Sequence, residues 1–191
     1  MTIPDPATAS PESGRAVTFV ETLGDRRARA GKAGVIVLCP WLEGLPPATG
    51  VWVSALPIHD VNGFIDSDEP LVPARKRHLP YYLGLFALDR FRSPERLLAR
   101  LRAKGIERIV NLPSVSFFDG RSTSILESLD FGYGEEVAFL HRAKLEGFGV
   151  ALCGRRDALG AVADLDAFDA LLCHDGPRSA FEVLRPKAHS H

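Results

Sequence analysis

The sequence is poor in features that announce a function by themselves. No apolar run reaches the roughly 18 residues that span a bilayer. The N-terminus, "MTIPDPATASPESG", has no basic stretch leading into an apolar one, so neither a membrane anchor nor a signal peptide is expected. Cysteine is scarce: Cys39, Cys153 and Cys173 show no CxxC pair and no Cys/His ligand spacing. Each lies in an apolar run, the pattern of buried thiols, and so sparse a set suits a reducing cytoplasm. An excess of one charge is missing too. The 23 Lys and Arg against 24 Asp and Glu argue against nucleic-acid binding driven by phosphate neutralisation. No GxGxxG follows the first expected strand, and no P-loop lysine motif, nucleophile elbow or Ser-His-Asp spacing occurs. Dinucleotide, nucleoside-triphosphate and serine-hydrolase chemistries therefore lack their signatures.

What is present is a clear α/β rhythm. A chain of 191 residues with 46% apolar side chains is long enough for one domain with a sizeable core. The Pro, Ser, Thr and Ala content of residues 1–14 predicts a disordered leader. Residues 15–178 read as a single barrel-like α/β domain and 179–191 as a loose tail. Expected strands are "AVTFVE" (16–21), "GVIVLCP" (34–40), "YYLGLFAL" (81–88), "IERIVNLP" (106–113), "FGVALCG" (148–154) and "FDALLCHDG" (168–176). Several are apolar without alternation, as parallel strands covered on both faces are.

Between them lie helical patterns. A short polar helix or turn is expected over 24–34. Ser93 is a good N-cap before Pro94, and Leu97, Leu98 and Leu101 share a face that ends at Gly105. "GYGEEVAFLHRAKLEG" places Val137, Phe139, Leu140 and Leu145 on an apolar face and stops at Gly147. A further helix is expected in "RRDALGAVADL". Residues 41–80 are punctuated by proline and glycine and read as loop around a stretch open between strand and irregular helix. Strand–helix–strand alternation implies parallel strands joined by crossovers, either as a β/α barrel or as an open doubly wound sheet.

Four stretches occur in order at suitable separations: "GLFALDRFR" (84–92), "NLPSVSFFDG" (111–120), "LESLDFGYGEEV" (126–137) and "CHDG" (173–176). Together they resemble the phosphoenolpyruvate hydrolase-like TIM-barrel family, within the phosphoenolpyruvate/pyruvate barrel group. The resemblance spans Tyr81 to Gly176. It implies a TIM-barrel-like fold with chemistry at the C-terminal ends of the strands. About six of the eight β/α units of that plan are recognisable here. Only residues 177–191 follow Gly176, too few for the last two, so the barrel is expected to be incomplete or partly rebuilt. A second copy of the chain, a partner protein or residues 41–80 would then cover the gap.

The resemblance also nominates residues. Asp89 and Arg92 follow the third strand, Asn111 ends the fourth and Asp119 lies in the loop beyond it. Glu127 and Tyr133 precede the next helix in a loop that could cover the mouth, and His174 ends the sixth strand. Asp89 has the hard oxygen that Mg²⁺ prefers and could equally serve as a base, a helix cap or an ion-pair partner of Arg90 or Arg92. Arg92 can clamp a carboxylate or phosphate through two parallel hydrogen bonds. Asn111 offers both a donor and an acceptor. Asp119 before Gly120 suits a turn as well as a catalytic acid. His174 titrates near neutrality when unperturbed, and Asp175 is a natural partner for it. The implied activity is that of a hydrolase or lyase acting on a small 2-oxo acid or enol phosphate, with a small carboxylate or phosphate as ligand. The alternative is a non-catalytic ligand-sensing or protein-interaction module built on the same barrel.

Overall fold

The computed structural model describes residues 15–20, 34–43, 45, 60–68, 71, 81–176 and 181–184. The expected leader, all of the short polar helix or turn over 24–34 except Gly34, and most of the 41–80 segment lie outside them.

The β-branched run Arg15–Val20 forms β1 and Val35–Leu38 forms β2. After β3 (Tyr81–Leu85), Ser93 caps helix α1 (Pro94–Ala103) by accepting from the Arg96 N–H, and Leu97, Leu98 and Leu101 are buried. Strand β4 (Arg108–Asn111) leads through a 3₁₀ turn, Val115–Phe117, into helix α2 (Gly120–Ser128). Helix α3 (Tyr133–Leu145) packs outside β4 and β5 (Gly149–Arg155), and the short helix α4 (Arg156–Gly160) follows directly. Strands β6 (Ala170–His174) and β7 (Glu182–Leu184) complete the order.

The seven strands among the described residues close into a barrel in sequence order. Neighbours from β1 to β6 are parallel. β7 runs antiparallel between β6 and β1, with Leu172 opposite Val183 and Arg15 opposite Val183 on the other side. The fold is thus the expected α/β, TIM-barrel-like one, and the gap is filled from within the chain. Residues read as tail supply the closing strand.

Alternating side chains divide into two cores, as a sheet covered on both faces requires. Ile36, Leu38, Leu83, Leu85, Ile109, Val150, Leu152 and Leu171 face the helices. Val37, Cys39, Val110, Leu112, Ala151, Cys153 and Leu172 fill the barrel, with Phe181 and Val183 from the β7 segment packed against them. All three cysteines are buried free thiols. The interior is tight at Gly84, where an added Cβ would lie 3.0 Å from both Cys39 Sγ and the Leu112 carbonyl oxygen. Two expectations change at the helix surface. Leu145 is 90% exposed, and the buried stripe of α3 is Glu136, Phe139, Leu140 and Ala143. Glu127, expected in a loop, lies on helix α2, which buries no residue of its own.

Candidate functional site

The residues nominated by sequence fall into separate neighbourhoods. Asp89 and Arg92 stay together just beyond β3. Arg92 is buried and spends its five N–H donors on three carboxylates. Nε reaches Asp66 at 2.9 Å, Nη1 reaches Asp60 and Asp89 at 2.9 and 3.0 Å, and Nη2 reaches Asp60 and Asp66 at 2.8 and 2.6 Å. These hydrogen bonds raise its pKa further above the ordinary guanidinium value.

Asp89 is equally committed. Its Oδ1 accepts from the backbone N–H groups of Phe91 and Arg92, and its Oδ2 from Asn62 Nδ2 and Arg92 Nη1. Asn62 in turn pairs with both backbone groups of Phe86, fixing the end of β3. The implied Mg²⁺ does not fit this arrangement, because the Arg92 guanidinium already stands where a cation would meet the Asp89 carboxylate. Among the described residues no group of three or more His, Cys, Asp or Glu is placed to hold a metal ion.

Asn111 points to the outer face of β4, away from the barrel interior. Its Nδ2 donates to Glu136 Oε2 at 2.7 Å and to the Cys153 carbonyl at 2.9 Å, while its Oδ1 accepts from the Cys153 N–H at 2.7 Å. Glu136 also accepts from Ser114 Oγ and the Val115 N–H, at 2.7 and 2.8 Å. Burial pushes this carboxyl up to about 7, against three donors that favour its charged form. The network ties helix α3 to the turn after β4.

His174 lies at the top of the barrel interior, its ring 4.9 Å from Phe117 and 5.2 Å from Phe181. Burial, and secondarily the Arg155 charge, push it down to about 4. That keeps the imidazole neutral near pH 7. Asp175 pairs with Arg156 at 2.7 Å, and its charge also acts on His174 in the opposite sense to burial. Asp119 is exposed at the N-cap of α2, without a side-chain capping bond, and its charge helps to raise the Arg155 pKa.

Glu127 and Tyr133 border an open groove of about 580 Å³ between α2, the first half of α3, and α4 with the segment after it. Val115, Phe118, Phe131, Val137 and Val162 supply apolar walls. Tyr133 packs against β5 at Gly154, where a Cβ would lie 2.3 Å from its hydroxyl, and donates to the Cys153 carbonyl at 3.0 Å. Arg155, from the end of β5, is held by Asp157 through Nε–Oδ1 and Nη2–Oδ2 contacts of 2.6 and 2.7 Å. Of the seven nominated residues, the structure brings only these two, Glu127 and Tyr133, to the groove.

Sequence reasoning passed over Glu136 and Arg155. Glu136 left a legible signal: an acid at the 136, 139/140, 143 spacing of a helix's buried stripe, where a charge belongs only if it has partners. Arg155 left none, being one of many arginines.

Residues 47–163 match the family described as Phosphoenolpyruvate hydrolase-like, a span that begins before the motifs at 84–92 and ends before His174. "Uncharacterized protein y4oT" of Sinorhizobium fredii is 39% identical over 119 residues, covering 60% of this chain and 57% of that protein. The chain therefore spans a little over half the length of that relative. With the family match running through β3, β4, β5 and almost the whole groove, the chain belongs to the phosphoenolpyruvate hydrolase-like family.

Proposed function

We propose that this chain is a ligand-binding member of the family that does not turn over an enol phosphate, and that its ligand occupies the groove between α2, α3 and α4. The observation that carries this reading is the internal saturation of Asp89 and Arg92. Substrate capture by Arg92 would require breaking bonds to its own carboxylates, whereas the groove is open as it stands. A cavity with apolar walls and a few polar groups at its rim is the usual form of a small-molecule site. The test is a thermal-shift screen of the full chain against a metabolite set, with and without Mg²⁺, since a ligand that binds only the folded state raises the melting temperature. The expected result is a stabilising compound that is recovered unchanged. A compound consumed during the assay would overturn the reading.

A second reading, hydrolysis or lyase cleavage of a small 2-oxo acid or enol phosphate, is favoured by the family match, whose span includes Asp89 and Arg92. It predicts release of phosphate or pyruvate from phosphoenolpyruvate that disappears in Asp89→Ala. No release above the buffer blank removes it.

A further inference from the structure

The groove has a sign. Glu127, Asp157 and Asp164 bring three carboxylates to its lining, and Arg155 is the guanidinium among them. Arg155 is already neutralised by the paired contacts to Asp157, and its Nη1 donates to the Phe118 carbonyl at 3.3 Å. Glu127 and Asp164 make no ion pair with any cation among the described residues. Arg90 lies over the Phe131 ring at 4.0 Å, but it lines the neighbouring hollow rather than the groove.

Two features bear on the opposite sign. The N-terminus of α3 opens onto the groove at Gly132–Gly134, and a helix N-terminus favours anions. Glu135 and Glu136 in its first turn offset that dipole. Of the hydroxyls lining the groove, Tyr133 is turned to the Cys153 carbonyl and Thr123 to the Phe118 carbonyl. His141 also lines the groove, its ring 5.0 Å from Phe168. An anion entering here meets two uncompensated carboxylates and finds the groove's guanidinium occupied.

We infer that the groove takes an organic cation: an ammonium or amidinium head directed to Glu127 and Asp164, on an apolar body seated against Phe118, Phe131, Val137 and Val162. This rests on the reading of the groove as the ligand site and names its ligand class, which is opposite in charge to a 2-oxo acid or enol phosphate.

The experiment uses the full chain and three probes that share a ring and differ in head group: 2-phenylethylammonium, 2-phenylethanol and 3-phenylpropionate. Affinities are measured by calorimetry at fixed ionic strength. The ammonium should bind about tenfold more tightly than the carboxylate, and added salt should shrink that ratio. Glu127→Gln and Asp164→Asn, both at exposed positions, should reduce the preference while leaving phenylethanol unaffected. A carboxylate bound as tightly as the ammonium, equal binding of all three, or no binding of any overturns the cation assignment. The groove itself is tested separately by Ala161→Trp, at an exposed lining position. If that change leaves untouched the affinity of a compound found in the metabolite screen, the reading beneath the assignment falls as well.

Discussion

Arg92 is 4% exposed, whereas Asp60 and Asp66 keep 34% and 42% of their side chains in water. Removing the guanidinium therefore falls mainly on Asp89, which is 3% exposed and would be left as a buried lone charge. Arg92→Ala should destabilise the fold by about 3 kcal/mol, the range measured when one partner of a buried pair is lost. The Arg92→Ala/Asp89→Ala double variant should lose less than the sum of the singles. Urea denaturation of the three variants checks this, and strict additivity would show that the pair is not coupled. The sequence put Asp89 beside Arg92 and so exposed the pair, but not its meaning. Asp60 and Asp66 sit in a loop with no periodicity to bring them near.

Glu136 and His174 make opposite contributions to stability against pH. Glu136 has a folded pKa near 7, above its ordinary 4.5, so its contribution is fully present below 4.5 and is lost as pH rises through 7. His174 has a folded pKa near 4, below its ordinary 6.5, so its contribution is present above 6.5 and is lost as pH falls through 4. Between 4.5 and 6.5 the two slopes oppose each other. Glu136→Gln should leave a melting temperature that rises with pH across that window, and His174→Phe one that falls. Identical profiles in the two variants would refute the assignment.

At the scale of elements, capping and periodicity were the readable part. Ser93, Pro94 and three leucines specify α1 locally, and the structure places that helix where they do. Helix α2 escaped notice because "GRSTSILES" carries no buried stripe, and its apolar Ile125 and Leu129 remain exposed. Leu145 failed for a related reason: the stripe of α3 turns with the helix, so it passes through Ala143 and leaves Leu145 in solvent. What seats α3 on the barrel is partly a deletion of side chain at Gly154. Gly154→Ala should cost about 1–3 kcal/mol, the usual penalty for overpacking. Adding Tyr133→Phe should recover part of that loss, because the hydroxyl is the closest atom to the new methyl. A Gly154→Ala protein as stable as the parent would show that α3 shifts freely to accommodate it.

For the whole molecule, the parallel strand order was legible from apolar runs separated by helices, and the closure was not. A three-residue strand near the end of the chain has too short a pattern to read, and its pairing depends on edges that only the folded barrel presents. Deleting residues 181–184 should reopen β1 and β6. Exposed strand edges invite pairing with other chains, so size-exclusion chromatography with light scattering should show association or aggregation. A monodisperse, stable monomer would mean that β7 is dispensable.

Because β7 runs against β1, with Arg15 opposite Val183, the last strand finishes beside the place where the first begins. Linking residue 184 to residue 15 would need only a tight reversal of the kind that joins a hairpin. The ring thus has no privileged starting point. The same barrel could be encoded by a circularly permuted gene opened at the solvent-facing segment around Ala161, with every strand keeping its neighbours while their order along the chain is rewritten.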